Sequence, residues 1–312
     1  MTIDVLMTVS FLPSCEEALD RTYTLHRLWQ QADAQDFLER SGRGIRAMAT
    51  DGAFGCPAWV MDLLPDLEII GNFGVGYDSV DIPAAKDRGI VVTNTPDVLN
   101  DAVAEMAVGL MLALGRQIAA ADRFIRAGRW LDGNYPLTRE FRGSTVGIVG
   151  LGRIGKEIAV RASAMKATVV YHGRTQQPGV PYRYFADLAT MAAECDWLVI
   201  AVPGGAGTEG LVSRDVLAAL GPDGMVVNVA RGSVIDQHAL VEMLQSGALG
   251  GAALDVFADE PNVPPGLFGM DHVVLSPHVA SATHRTRWEM GDLVVRNLAA
   301  HFAGDSLLTP VT

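Results

Sequence analysis

Thr145-Val146-Gly147-Ile148-Val149-Gly150-Leu151-Gly152-Arg153-Ile154-Gly155 is the stretch on which the fold turns. Apolar, β-prone residues run into a glycine loop, and an amphipathic pattern from Ile154 to Met165 follows. A Gly-x-Gly-x-x-Gly spacing alone says little in a chain with 33 glycines. Between a strand and a helix it has a physical reading. Gly150 makes the tight turn, Gly152 lets backbone approach a pyrophosphate, and Gly155 lets helix and strand pack closely. The N-terminus of the helix, at Arg153 and Ile154, then turns its N–H groups toward the anion.

The same alternation extends in both directions. Candidate strands are Ile3–Val9, Ile45–Ala49, Leu67–Ile70 and Ile90–Val92, then Val146–Val149, Thr168–Tyr171, Trp197–Val202, Met225–Val229, Ala252–Val256 and Val273–Ser276. Helical patterns separate them, among them Asp187–Ala193, Arg214–Leu220 and His238–Leu244. Continuous apolar strands alternating with helices call for parallel sheets covered on both faces. The expected fold class is α/β with two doubly wound parallel sheets.

A boundary is expected near Thr95-Pro96-Asp97, where Pro96 disfavours regular structure and Asn100 or Asp101 can cap the next helix. The expected domains are residues 1–98 with 285–312, and residues 99–284. In the helix from Asn100, Val103, Met106, Ala107, Leu110, Met111 and Leu114 share one face, while Val108 and Leu112 carry apolar surface round to another. Such a helix belongs in a core or in a subunit contact.

Composition narrows the partners. With 24 basic against 36 acidic residues, the net charge of −12 excludes a general nucleic-acid binder, which must neutralise phosphates. The apolar run from Ala102 to Leu114 contains Glu105 and is too short to span a bilayer. Cys15, Cys56 and Cys195 are far apart and odd in number, so neither a disulfide framework nor a structural zinc site is expected. His272, His278 and His284 lack metal spacing, and no metal is expected. With no basic leader at Met1-Thr2-Ile3-Asp4, a cytoplasmic location is expected.

Two further patterns concern chemistry. The strand after the glycine loop ends Val169-Val170-Tyr171-His172-Gly173-Arg174-Thr175. An NAD-specific site puts Asp or Glu on the ribose about 20 residues past the loop. Here Arg174 and Thr175 stand there instead, offering a cation and a hydroxyl to a 2′-phosphate, so NADP(H) is expected over NAD(H). Farther on, Arg231, Glu260 and His278 each follow a strand, on the sheet edge where ligands bind. This trio suits carbonyl reduction. The imidazole donates a proton, the carboxylate orients it, and the guanidinium binds a substrate carboxylate and polarises the carbonyl beside it. Asp255, ending an apolar strand, needs partners if buried.

These residues resemble the D-isomer-specific 2-hydroxyacid dehydrogenases, in particular the NADPH-dependent glyoxylate/hydroxypyruvate and hydroxyphenylpyruvate reductases. The likeness rests on Gly71-Asn72-Phe73-Gly74-Val75-Gly76-Tyr77-Asp78, Gly150–Gly155, Asn228–Gly232, Ala253–Phe257 with Glu260-Pro261, and Pro277-His278. It implies two Rossmann-like domains, the substrate domain flavodoxin-like and discontinuous. It makes His278 the acid/base, Glu260 its partner and Arg231 the polarising residue. The N–H groups of Val75 and Gly76 would hold the substrate carboxylate. Cofactor contacts would come from Gly150, Gly152, Arg153, Ile154, Gly155, Gly173, Arg174 and Thr175, from Val202, Pro203 and Thr208, and from Val229, Ala230 and Asp255, the last at the nicotinamide carboxamide. A homodimer through the helix from Asn100 is implied, with a partner's Trp130 reaching the pocket.

The chain departs from the family at Val202-Pro203-Gly204-Gly205-Ala206-Gly207-Thr208, where His/Cys-Pro-Leu-Thr is common, and at Ala280, where glycine is usual. The expected function is NADPH-dependent reduction of glyoxylate and hydroxypyruvate to 2-hydroxy acids. The alternatives are a reductase of bulkier aromatic 2-ketoacids such as hydroxyphenylpyruvate, and a dinucleotide-sensing corepressor-like protein, which would not need the trio.

Overall fold

A computed structural model describes residues 2–312, which form two compact units, residues 2–99 with 281–312, and residues 100–280. The first opens with β1 (Ile3–Met7), α1 (Pro13–Asp20), β2 (Tyr23–Arg27), α2 (Ala34–Ser41) and β3 (Ile45–Thr50). It continues with α3 (Ala58–Leu63), β4 (Ile69–Asn72), α4 (Ile82–Asp87) and β5 (Val91–Thr93). The strands are all parallel in the order β2-β1-β3-β4-β5, the flavodoxin-like arrangement.

The second unit contains α5 (Asn100–Gly115), α6 (Ile118–Arg126), β6 (Thr145–Val149), α7 (Arg153–Ala164), β7 (Thr168–His172), β8 (Arg183–Phe185), α8 (Leu188–Ala193) and β9 (Trp197–Ile200). It ends with α9 (Arg214–Leu220), β10 (Met225–Asn228), α10 (Gln237–Ser246), β11 (Gly251–Leu254) and β12 (Val273–Leu275). Its parallel sheet runs β12-β11-β10-β9-β6-β7-β8. The chain reverses direction of travel between β6 and β9, so the ligand crevice of a doubly wound sheet lies at their carboxyl ends. The glycine loop follows β6 there.

Burial explains why these strands form. Val146, Ile148, Leu198, Val199, Val226, Val227, Ala252 and Ala253 are inaccessible to solvent, as a sheet with both faces covered requires. Trp197 fills the space beneath α5, and a Cβ at Gly115 would meet its ring at 3.1 Å. The helix α5 packs on α7 and on β10, β11 and β12, with Leu110, Met111 and Leu114 in the core. Among the described residues no single helix is long and apolar enough to cross a membrane. Only α5 and α6 together reach that length and composition, and they are bent 56° apart.

The chain then returns to the first unit as α11 (His284–Ala303), capped by Thr283, so the return begins at Ser281 rather than at 285. It packs on α1 and β4, where Gly71 leaves room for Val294. Asn297 donates to Thr309 Oγ1 and accepts the N–H groups of Leu308 and Thr309. Val311 N–H donates to the Val92 carbonyl at 2.7 Å, fastening the C-terminal tail to β5.

Sequence reading missed β2 and β8. Both are edge strands with polar, partly exposed residues, so neither shows a continuous apolar run. The expected strands Trp197–Val202, Met225–Val229, Ala252–Val256 and Val273–Ser276 also stop short of those limits, at Ile200, Asn228, Leu254 and Leu275. At the carboxyl edge the backbone leaves the ladder for side-chain partners, and that is where the candidate site begins.

Candidate active site

The three loop glycines have different reasons to be glycine. Gly150 has φ +95°, and a Cβ there would come within 2.5 Å of Val202. A Cβ at Gly155 would collide with the Gly150 carbonyl at 2.1 Å. Gly152 faces open space, and no side chain caps the start of α7. A turn, a tight helix contact and an open, uncapped helix N-terminus are what a pyrophosphate requires, so these residues fit a dinucleotide.

At the end of β7, Arg174 and Thr175 are exposed, and Tyr184 donates its hydroxyl to the Gly173 carbonyl at 3.2 Å. A residue not anticipated from sequence, Gln177, ties this loop down. Its backbone N–H donates to the Tyr171 hydroxyl at 2.7 Å, and its amide donates to the Leu151 carbonyl at 2.7 Å. The segment carrying Arg174 is thereby joined to the glycine loop itself. In the loop after β9, the Thr208 hydroxyl donates to the Pro203 carbonyl at 2.7 Å, and Val202 packs against Gly150. The structure thus gives Thr208 an internal role as the clasp of its loop.

Beyond β10, Asn228 organises Val229, Ala230 and Arg231. Its side chain accepts the Ala230 N–H at 3.0 Å and donates to the Arg231 carbonyl at 2.9 Å. Arg231 Nη1 donates to the Ala230 carbonyl. A Cβ at Gly232 would lie 1.9 Å from the Phe257 carbonyl carbon, so only glycine lets the arginine loop approach the loop after β11.

Glu260 and His278 meet in that region. His278 Nδ1 lies 2.6 Å from Glu260 Oε2, and Glu260 Oε1 accepts the Phe257 N–H at 3.0 Å. An ionised carboxylate only accepts, so Nδ1 carries the proton and Nε2 is left to exchange one. Burial raises the Glu260 carboxyl. The bonds from His278 and Phe257, with the charges of His278 and Arg231, outweigh that and hold it below the usual carboxylate range.

His278 adopts a left-handed φ of +54°. Its N–H donates to the Asp255 carbonyl at 2.7 Å, and the Val279 and Ala280 N–H groups each donate to an Asp255 carboxylate oxygen at 2.9 Å. Asp255 is wholly buried. Its carboxylate is engaged by the backbone after His278, and so it anchors the histidine loop.

Val75 and Gly76 lie in the first unit, in the loop after β4. Asn72 donates to the Gly74 and Gly76 carbonyls at 3.1 and 2.9 Å, and Asn94 donates to the Val75 carbonyl at 2.9 Å. With the carbonyls held, the Val75 and Gly76 N–H groups meet no acceptor among the described residues. Such a pair of N–H groups suits a carboxylate. In the sequence this cradle was implied only by the family likeness of Gly71–Asp78; the role of Asn72 in holding its carbonyls emerges from the structure.

Comparison with known proteins accords with this geometry. Residues 108–280 match the family model described as D-isomer specific 2-hydroxyacid dehydrogenase, NAD binding domain. The chain is 46% identical over 310 residues to a glyoxylate/hydroxypyruvate reductase A of Arabidopsis thaliana, covering 99% of each. It is 45% identical over 309 residues to a hydroxyphenylpyruvate reductase of Plectranthus scutellarioides, again covering 99% of each. A solved structure of an NADPH-dependent glyoxylate/hydroxypyruvate reductase from Sinorhizobium meliloti, in complex with NADP and malonate, superposes with a TM-score of 0.93. That protein is 45% identical, with 100% of this chain and 97% of the other covered. The chain belongs to the D-isomer-specific 2-hydroxyacid dehydrogenase family.

Proposed function

We propose that this protein reduces small 2-ketoacids, glyoxylate and hydroxypyruvate, to 2-hydroxy acids with NADPH. The observation that carries the reading is the 2.6 Å pair of His278 Nδ1 and Glu260, held in the unit that bears the glycine loop. A dinucleotide sensor would need the loop but not an oriented proton donor.

Bound nicotinamide would supply the hydride. The chain's own residues do the rest. Val75 and Gly76 N–H groups bind the substrate carboxylate, and Arg231 binds the substrate and polarises its carbonyl. His278 delivers a proton from Nε2 to the carbonyl oxygen, and Glu260 stabilises the protonated ring and fixes its orientation. Gly150, Gly152, Arg153, Ile154 and Gly155 hold the pyrophosphate, while Arg174 and Thr175 hold the 2′-phosphate and favour NADP(H). The likeness to a hydroxyphenylpyruvate reductase supports a second reading, with bulkier aromatic 2-ketoacids as substrates.

The protein works as a homodimer in this reading. Ile118, Ile125, Trp130, Leu131 and Leu137 are exposed on α6 and the segment after it, apolar side chains of the kind a subunit contact would cover. Its three cysteines are unpaired, which suits a reducing cytoplasm.

Parallel initial rates of NADPH and NADH oxidation, with glyoxylate, hydroxypyruvate and hydroxyphenylpyruvate, test the function. Faster NADPH-dependent turnover of the two small acids supports it. Preference for hydroxyphenylpyruvate favours the second reading, and inactivity with all three overturns both.

A further inference from the structure

Arg287 lies in the first two turns of α11, at the carboxyl edge of the five-stranded sheet. Its guanidinium carbon sits 5.3 Å from the centre of the Phe73 ring, which in turn stacks on Phe11 at 4.7 Å. The side chain is half-buried. Burial pushes its pKa down, partly offset by the Asp51 carboxylate. Asp51 is not within ion-pair distance. Its Oδ1 is instead taken by the Ala53 and Phe54 N–H groups at 3.1 and 3.0 Å. Among the described residues, no acceptor meets the guanidinium's donors.

A partly desolvated guanidinium with no acceptor is costly unless a ligand supplies one. Phe73, on which it lies, is followed directly by Gly74 and by the two unsatisfied N–H groups of Val75 and Gly76. One short stretch of chain thus gathers two sets of donors. The paired N–H groups suffice for the two oxygens of a carboxylate. The guanidinium is left for another oxygen of the same molecule.

We propose that Arg287 is a specificity-determining residue that binds an oxygen substituent on C3 of the 2-ketoacid, so that it selects hydroxypyruvate over pyruvate and over glyoxylate. This assignment rests on the reductase reading above. The ring face of Phe73 holds the guanidinium plane by cation–π attraction, leaving its edge N–H groups for the substrate. Glyoxylate has no C3 and pyruvate has no oxygen there, so neither can use this contact.

The test is kcat and KM for hydroxypyruvate, pyruvate and glyoxylate at saturating NADPH, in the wild type, Arg287→Met and Arg287→Lys. Methionine retains length and packing on Phe73, while lysine retains charge but not the planar fork. The ratio of kcat/KM for hydroxypyruvate to that for glyoxylate should fall about tenfold or more in Arg287→Met, chiefly through KM. Arg287→Lys should recover part of it. Equal losses on all three substrates, or an unchanged ratio in both variants, overturns the assignment while leaving the reductase reading standing. A wild type that reduces none of the three overturns both. Thermal midpoints and NADPH binding by fluorescence identify a variant that has lost its fold, and the other variant then decides the ratio.

Discussion

His278 donates its backbone N–H to the carbonyl of Asp255 at 2.7 Å, while the Asp255 carboxylate receives the N–H groups of the next two residues. A strained left-handed histidine is thereby held from both sides by one buried residue. Asp255→Asn replaces an acceptor oxygen with a donor facing a backbone N–H. An unmet buried polar group of this kind costs about 1–3 kcal/mol. The variant should melt earlier and lose about 10–100-fold in kcat, because misplacement at the proton donor is costly. NADPH affinity should change by less than about threefold. Thermal unfolding, steady-state kinetics and cofactor fluorescence check the three parts. Unchanged kcat in a folded variant would remove the anchoring role.

Glu260→Gln tests the proton-transfer pair. Losing the carboxylate should lower kcat by about 10–100-fold with little effect on cofactor binding. Stability carries a second signature. The Glu260 carboxyl is held below its ordinary value in the fold, so its contribution is complete above the unfolded pKa of about 4.3. That contribution disappears as pH falls through the lower folded value. Glu260→Gln should therefore flatten the acid limb of the stability curve, measured by urea unfolding at a series of pH values.

Arg174 and Gln177 share one loop but should fail differently. Arg174→Ala should lower kcat/KM for NADPH about tenfold and leave NADH nearly unchanged, since only the 2′-phosphate is lost. Gln177→Ala cuts the tie to the Leu151 carbonyl, so both cofactors should bind more weakly. Losses with NADPH alone in Gln177→Ala would confine its role to the phosphate loop.

Burial pushes the thiols of Cys56 and Cys195 up to about 12. In the native protein both should resist an aromatic disulfide reagent at pH 8 and react only after denaturant is added. Unfolded thiols ionise near pH 8.5, so raising the pH from about 9 to 12 favours the unfolded state. Stability should fall across that window, and fall less steeply in Cys56→Ala.

What the sequence disclosed follows from the kind of signal each feature leaves. Central strands such as Val146–Val149 are buried on both faces and read as apolar runs. Edge strands such as Arg183–Phe185 need cover on one side only and leave no such run. Arg231, Glu260 and His278 stand out because charged residues after apolar strands need a purpose. Asn72, Asn228 and Gln177 do their work through hydrogen bonds from their side-chain amides to backbone carbonyls two to 26 positions away, which no periodicity encodes. Asp255 was visible as a buried carboxylate, but the direction of its oxygens was not.

The interrupted first unit has a consequence for synthesis on the ribosome. Residues 100–280 are contiguous and can condense as soon as they emerge. The five-stranded sheet is translated first, yet α11 and the tail that cover β4 and fasten β5 arrive last. An early-made sheet thus waits with an apolar face uncovered through more than half of translation. It is the interval in which this chain would most need a chaperone.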